Sequence, residues 1–289
     1  MTEYAGLSQL PPAIMSITTL IDRHADRYYA EELAEHFDRT RPESERPSEQ
    51  FLLDLFNDHV EKLLDYEEAK KIPQRRDSLV FAHIYTAAER PTADGDDSEH
   101  PPIAVLTALL AAEFEFRGPR RLSRIQNMRL AETYEDLGRS LIASDLPEHA
   151  ALAFKRAVGL HRLEEDFDAQ DRCGLALAQA RCRCISPTWR RIPYWTLEVL
   201  CGYGFRPFRL LCWIAAILLV GTVVLRLTDS LPIATTLHMC LINYLNPLGR
   251  GDLDDVKGAG RTLLIVEAYC GLVFNSLFFA LLVRRWFRI

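Results

Sequence analysis

Several patterns are missing from this 289-residue sequence. Runs of alternating apolar and β-branched residues, which are typical of half-buried strands, are missing before residue 200, so no sheet is expected there. Glycine-rich phosphate loops and the HExxH and GxSxG motifs are also missing, so no enzymatic activity is expected. The N-terminal residues lack a basic segment followed by an apolar core, and a cleaved signal peptide is therefore not expected.

Cysteine is missing from the first 170 residues. All seven cysteines follow, an odd number without the spacing of a disulfide framework, which indicates reduced thiols in a cytosolic environment. Cys182 and Cys184 are separated by one residue, but no second Cys or His pair accompanies them. No metal site and no cofactor are therefore expected, apart from the permeant ion discussed below.

Helical periodicity dominates residues 1 to about 200, and the chain is predicted to be all-α. Amphipathic stretches cover about 13–37, a segment that opens with Ser48 as N-cap, and about 78–88. Segment 90–102 is acidic and rich in proline, which predicts a loop. It separates an N-terminal helical region (1–89) from a second helical region (103–186).

Residues 131–164 resemble a single tetratricopeptide repeat. Gly138 and Ala150 would let two antiparallel helices approach closely while larger residues fill the seam between them. One repeat cannot bury its own faces, so it must pack on the rest of the domain, and a plain helical hairpin without peptide-binding function is the alternative. The pattern consists of Tyr134, Leu137, Gly138 and Leu141 on the first helix and Ala150, Phe154 and Ala157 on the second.

Long apolar runs occur only in the last third of the chain, which we interpret as a membrane domain (207–289). Sixteen uncharged residues run from Leu210 to Leu225, and twenty-two residues from Thr262 to Val283 contain one charge, Glu267. Membrane spans are therefore expected at about 209–227 and 262–284. Two buried core helices of a soluble protein are the alternative.

Arginines flank the two spans on one side, which predicts that both termini and the helical regions face the cytoplasm from a two-pass position in the inner (plasma) membrane. An interfacial segment (187–206) with Trp189 and Trp195 as headgroup anchors is expected before the first span. Its Gly-Tyr-Gly sequence at 202–204 is predicted to be a turn. The flanking arginines are Arg190, Arg191, Arg206 and Arg209 before the first span and Arg284, Arg285 and Arg288 after the second.

The segment between the spans (231–253) combines a short amphipathic run with Gly-Arg-Gly-Asp. Backbone can leave a helix at membrane depth only where it lines water or ions. From about residue 200 to 289 the order of these parts resembles the two-transmembrane potassium channel family. The resemblance implies a homotetramer with a re-entrant pore loop whose carbonyl oxygens bind K⁺. The filter positions would be Pro247, Leu248, Gly249, Arg250, Gly251 and Asp252.

Two filter positions depart from the family pattern. Pro247 replaces a threonine whose hydroxyl binds the innermost ion, and Arg250 replaces an aromatic residue that braces the filter. Arg250 either braces the filter by pairing with Asp252 or Glu267, or faces the axis and repels cations. The bracing role is favoured because a ring of unpaired arginines is costly. Selectivity for K⁺ stays open.

The second span would be the inner helix that carries the gate. By the same resemblance Gly271 would be a gating hinge, and close packing between helices is its alternative. Asn275 would face a water-filled cavity or else a neighbouring helix, and Leu282 lies near the same face. Glu267 would tie the inner helix to the pore helix.

Two basic clusters stand out in the helical regions. They are either solvated helix faces or, repeated in four copies, a site for a polyanion such as a nucleotide or single-stranded nucleic acid. The second cluster begins a helix whose amides could also bind an anion. The residues are Lys70, Lys71, Arg75 and Arg76 in the first cluster and Arg117, Arg120, Arg121 and Arg124 in the second.

A cytosolic helical sensor followed by a two-helix pore resembles the architecture of bacterial anti-phage effectors such as the DNA-gated channel of the Hailong system. The hypothesis from the sequence is therefore a ligand-gated ion channel. The alternative is a membrane-anchored interaction scaffold whose pore loop does not conduct, and Pro247 and Arg250 support that alternative.

Overall fold

The computed structural model describes residues 11–38, 46–66, 78–89, 103–119, 121–229, 232–245 and 258–287. All regular elements formed by these residues are helices, as the sequence predicts. The chain divides into two compact units, Met1–Pro187 and Thr188–Ile289.

The first unit begins with a nearly continuous helix and continues through helices whose ends agree with their sequence signals. Ser48 is the N-cap of the second amphipathic stretch, as predicted, and its Oγ accepts a hydrogen bond from the amide of Phe51 at 3.3 Å. The elements are α1 (Pro12–Arg27), a π-helical turn (Tyr28–Leu33), α2 (Ala34–Phe37), α3 (Glu49–Leu64), α4 (Ala82–Glu89), α5 (Ile103–Arg117), α6 (Arg124–Ala143), α7 (Pro147–Leu163) and α8 (Phe167–Cys184).

Helix α5 is the centre of the first unit. Its residues from Val105 to Glu115 are all buried, and it packs against α1, α3, α4 and α6. The burial includes Glu113, which accepts hydrogen bonds from Tyr134 Oη at 3.0 Å and Arg156 Nε at 2.8 Å. Burial and this carboxylate raise the pKa of Tyr134 well above its usual value, so the hydroxyl stays protonated and donates.

Helices α6, α7 and α8 are joined by two three-residue turns of the same geometry. Each turn has one residue in the left-handed region, Asp145 (φ 56°) and Glu165 (φ 60°). After each of them an amide bonds back to the preceding helix, Leu146 N to Leu141 O at 2.9 Å and Asp166 N to His161 O at 3.0 Å, which is the Schellman pattern. The predicted hairpin is thus followed by a third helix that packs on the second.

The close approach predicted at Gly138 is confirmed. A Cβ atom at this position would lie 2.8 Å from the ring of Phe154 on α7. Ala150 and Ala157 are fully buried in the same seam. This packing describes a tight helical hairpin, and its membership of the tetratricopeptide class stays a prediction.

The second unit contains a 3₁₀ turn (Thr188–Arg191) and helices α9 (Ile192–Cys201), α10 (Phe208–Asp229), α11 (Ile233–Leu245) and α12 (Ala259–Phe287). Two segments are long and apolar enough to cross a membrane, Phe208–Leu227 and Gly260–Arg284. Only 22% and 17% of their most apolar windows are buried, whereas the core helix α5 is buried around its whole circumference. The two long helices therefore differ from the core helix of this same chain.

Candidate functional site

A short helix lies against both long helices of the second unit. Helix α11 has 13 residues and is therefore about 20 Å long, which is less than the ~30 Å of a bilayer core. Its buried residues recur every four positions and face α10 and α12, while much of the opposite side is apolar and exposed. The buried residues are Thr236, Cys240 and Tyr244.

Gly271 marks the closest approach of α12 to α11. A Cβ atom at this position would lie 2.9 Å from the carbonyl oxygen of Tyr244 and 3.0 Å from its Cδ2 atom. Because the first of these atoms belongs to the backbone, only glycine permits this distance. The close-packing alternative therefore describes the observed role of Gly271, and its use as a gating hinge stays a prediction.

Asn275 lies one turn after Gly271 and also contacts α11. Its Oδ1 atom accepts a hydrogen bond of 3.3 Å from the hydroxyl of Tyr244. A neighbouring helix thus provides the partner that a polar side chain needs in an apolar module. Contact with a water-filled cavity stays a prediction for Asn275.

A second polar contact joins the same end of α11 to an earlier turn of α12. The side-chain amide of Asn243 donates to the carbonyl oxygen of Leu264 at 2.6 Å. Asn243 and Tyr244 thus attach the last turns of α11 to α12 through one hydrogen bond each. Sequence analysis missed both residues because their partners are 21 and 31 positions away.

Glu267 is buried between the three helices. Only 3% of the residue is exposed, and a Cβ atom on Gly221 of α10 would lie 2.9 Å from its Oε1. Cys240 and Asn243 of α11 approach the carboxyl group, but neither carboxyl oxygen has a hydrogen-bond partner of good geometry among the described residues. Glu267 therefore contacts α11 by packing, and the described residues do not add a well-formed hydrogen bond to this contact.

The Gly-Tyr-Gly sequence before α10 is a turn, as predicted. Gly202, Tyr203 and Gly204 have φ values of 55°, 53° and 85°, so three consecutive residues are left-handed. A Cβ atom on Gly204 would lie 3.1 Å from Leu281 of α12, and the guanidinium group of Arg284 lies 5.2 Å from the ring centre of Phe205. The turn thus contacts the end of α12 beside Leu282, a partner that the sequence did not reveal.

Several predicted site residues lie outside the described residues. They include all the filter positions, so the partner of Arg250 is still a prediction. They are Pro247, Leu248, Gly249, Arg250, Gly251 and Asp252 of the filter, Lys70, Lys71, Arg75 and Arg76 of the first basic cluster, and Arg120 of the second.

The described arginines of the second basic cluster differ in their surroundings. Arg117 lies 2.8 Å from Glu113 and donates to Asn57 at 2.7 Å, so it is engaged inside the first unit. Arg124 is 76% exposed and lies 3.0 Å from Glu164. Arg121 is exposed.

The start of α6 is capped by its own side chains. Ser123 Oγ accepts from the amide of Gln126 at 3.3 Å, and Gln126 Oε1 accepts from the amide of Ser123 at 2.9 Å. Two of the amides that an anion could use therefore already have partners. Anion binding by this cluster stays a prediction that would depend on its side chains.

Comparison with known proteins gives no match to any family model, to any curated protein or to any solved structure. The resemblances to potassium channels and to tetratricopeptide repeats therefore depend on the residues and contacts described above.

Proposed function

We propose that this chain is a two-pass protein of the inner (plasma) membrane whose helices α10, α11 and α12 form, in a homotetramer, the pore of an ion channel. Both termini and the first unit lie in the cytoplasm, and the first unit controls opening. The observation that carries the proposal is the position of α11: a helix too short to cross a bilayer packs against two helices that are long and apolar enough to cross it.

The dipole of α11 has the direction that favours a cation at the proposed filter. The negative end of its dipole is its C-terminal end at Leu245. The filter sequence begins two residues later, with Pro247. A helix C-terminus directed toward a filter stabilises a cation there, and Gly249 and Gly251 allow carbonyl groups to line the path.

The apolar surface of the module supports assembly. A single copy cannot enclose a pore, so several copies must surround an axis while lipid covers the remaining surface. Exposed apolar residues occur on all three helices, so the module has apolar surface for contact with other copies and for contact with lipid. They include Leu219 and Val223 on α10, Leu237 and Leu241 on α11, and Leu272 and Val273 on α12.

The first unit is proposed to be the sensor. Its helices α6 to α8 have the tight packing and repeated turns of helical-repeat domains, which commonly bind other molecules. A nucleotide or a single-stranded nucleic acid is the proposed ligand because basic residues cluster in an otherwise acidic chain. A role as an anti-phage effector is proposed from the resemblance in architecture alone.

Ion flux from reconstituted protein tests the pore. We expect K⁺ efflux from proteoliposomes that contain the full chain, and loss of efflux when residues 246–253 are deleted. A deletion of equal length within the acidic segment, residues 91–98, is the matched control and should retain efflux. Normal efflux from the 246–253 deletion would contradict the proposed pore.

A membrane-anchored interaction scaffold is the second candidate. Pro247 and Arg250 favour it because they remove a hydroxyl ligand and place a positive charge at the filter. This candidate predicts no conductance with or without nucleotide or single-stranded nucleic acid, together with a stable protein complex on α6 to α8. Efflux that depends on residues 246–253 would exclude it.

A further inference from the structure

Three side chains with different ligand atoms meet inside the first unit. Glu135 of α6, His161 of α7 and Cys173 of α8 are all buried, and their ligand atoms lie within 4.8 Å of one another. Glu135 Oε1 is 2.9 Å from His161 Nε2 and 3.0 Å from Cys173 Sγ. The three residues are too far apart in sequence to form a recognisable metal motif.

We propose that Glu135, His161 and Cys173 form a binding site for Zn²⁺. Carboxylate oxygen, imidazole nitrogen and thiolate sulfur are the three ligand types that zinc accepts in proteins. The site is separate from the pore module and does not depend on the proposed channel function. Cys182 and Cys184, the pair that the sequence presents as a possible motif, are not part of it.

The geometry requires only small movements to hold the ion. Tetrahedral bonds of about 2.0–2.3 Å place ligand atoms roughly 3.3–3.8 Å apart. The two shorter distances, 2.9 Å and 3.0 Å, must therefore increase by less than an ångström, and the nitrogen–sulfur distance, which is at most 4.8 Å, must shorten by no more than about 1.3 Å. Three protein ligands leave the fourth position open to water.

Arg139 fixes the orientation of the carboxylate. Its Nη2 atom donates to the other oxygen of Glu135, Oε2, at 2.8 Å, so Oε1 is the atom directed toward His161 and Cys173. Such an outer contact commonly orients a metal ligand. The charge of Arg139 is also balanced by Asp136, which accepts from its Nη1 atom.

The ion takes the place of the two hydrogen-bond contacts that Glu135 Oε1 makes with His161 Nε2 and Cys173 Sγ. The Cys173 thiol loses its proton to water and binds as thiolate, and the imidazole binds through Nε2 while its one proton is carried on Nδ1. Thiolate and carboxylate together neutralise the two positive charges of the ion. Zinc then joins α6, α7 and α8 at one point.

Cobalt titration of the full chain, purified in detergent without a histidine tag, tests the site. Co²⁺ takes the place of Zn²⁺ and reports a sulfur ligand through a thiolate-to-cobalt absorption band. We expect the band to saturate at one Co²⁺ per chain and to disappear when Zn²⁺ is added. Absence of the band, or saturation without a sulfur ligand, would overturn the proposal and leave a hydrogen-bonded cluster.

Matched variants assign the ligands. Cys173→Ser should abolish the band, and His161→Gln should weaken Co²⁺ binding by at least about tenfold. Cys184→Ser, on the same helix but outside the cluster, should bind as the unaltered chain does. A band that persists in Cys173→Ser would overturn the proposal. The band in the unaltered chain and in Cys184→Ser already shows whether the site binds Co²⁺ through sulfur. The test therefore stays decisive even if Cys173→Ser folds poorly.

Discussion

His149 of α7 is fully buried, and its Nδ1 atom lies 3.0 Å from Glu49 Oε1 of α3. Burial raises the pKa of Tyr28, so its hydroxyl is protonated, and this hydroxyl lies 3.0 Å from the carbonyl oxygen of Leu52 and 2.8 Å from His149 Nε2. Both ring nitrogens of His149 therefore have hydrogen-bond partners, one on α3 and one on the π-helical turn.

Replacement of Glu49 by Gln should destabilise the first unit. Glu49 Oε1 accepts hydrogen bonds from the backbone amides of Glu148 and His149 at 2.7 Å and 3.1 Å, in addition to its contact with the His149 ring. Because a neutral amide oxygen is a weaker acceptor than a carboxylate, we expect the free energy of unfolding to fall by about 1–2 kcal/mol. Because all four tryptophans lie in the second unit, hydrogen exchange of the α3 and α7 amides is the suitable measurement. Asp54→Asn, an exposed change on the same helix, should alter the exchange by less than about 0.5 kcal/mol. Equal exchange in the two variants would contradict the role of Glu49 as the acceptor that joins α3 to α7.

Two glycines in the α6–α7 hairpin should respond in opposite directions to replacement by alanine. At Gly138 the new Cβ atom would meet the ring of Phe154 at 2.8 Å, so Gly138→Ala should destabilise the hairpin by about 1–3 kcal/mol. At Gly159 an added Cβ atom would meet no other part of the described residues within 4 Å, apart from the backbone of its own helix, so Gly159→Ala should stabilise α7 by up to about 1 kcal/mol. Hydrogen exchange of the α6 and α7 amides compares the two variants, and changes of the same sign would contradict the packing described here.

The packing of α11 on α12 can be tested at Gly271. Gly271→Ala would bring a Cβ atom to 2.9 Å from the backbone of Tyr244, which forces the two helices apart. We expect K⁺ efflux from proteoliposomes to fall at least about tenfold, since a small displacement at a pore is amplified in its conductance. Ser276→Ala is the control because Ser276 is exposed and its hydroxyl donates to the carbonyl oxygen of Leu272 in its own helix. Unchanged efflux in Gly271→Ala would contradict the role of this contact.

Replacement of Glu267 by Gln tests whether the carboxyl group only packs between the helices or pairs with Arg250. Neither oxygen has a well-formed hydrogen bond among the described residues, and an ionised group is costly in such a place, so the neutral amide of equal size should be tolerated. We expect efflux within about twofold of the unaltered chain and normal thermal stability in detergent. If Arg250 braces the filter by pairing with Glu267, Glu267→Gln would instead reduce both the K⁺ efflux and the thermal stability.

The sequence predicted those parts of the fold that depend on neighbouring residues. Ser48 and Ile103 were identified as helix starts because caps and apolar periodicity are local signals, and Gly202 with Gly204 identified a turn. The sequence did not predict contacts between residues that lie far apart in the chain. Nothing near Glu135 indicates that His161 and Cys173, 26 and 38 positions later, lie against its carboxylate.

The same limit applies to buried polar contacts and to the candidate pore. Tyr28 and His149 lie 2.8 Å apart although 121 positions separate them in the sequence. The sequence predicts a hinge at Gly271 and a cavity-facing polar side chain at Asn275, and these roles stay predictions; the partner that the two residues share, Tyr244, was not predicted. Periodicity assigns a residue to a face of a helix, and only the packed structure gives the atom opposite to it.

The turn at Gly202 to Gly204 connects α9 to α10 and also lies against α12. Its three residues are left-handed, and two of them are glycines, which adopt this conformation at little steric cost. A Cβ atom on Gly204 would lie 3.1 Å from Leu281 and 3.2 Å from the guanidinium group of Arg284. A side chain introduced at Gly204 would therefore disturb the end of α12 as well as the connection from α9 to α10, so one position governs the packing of two helices.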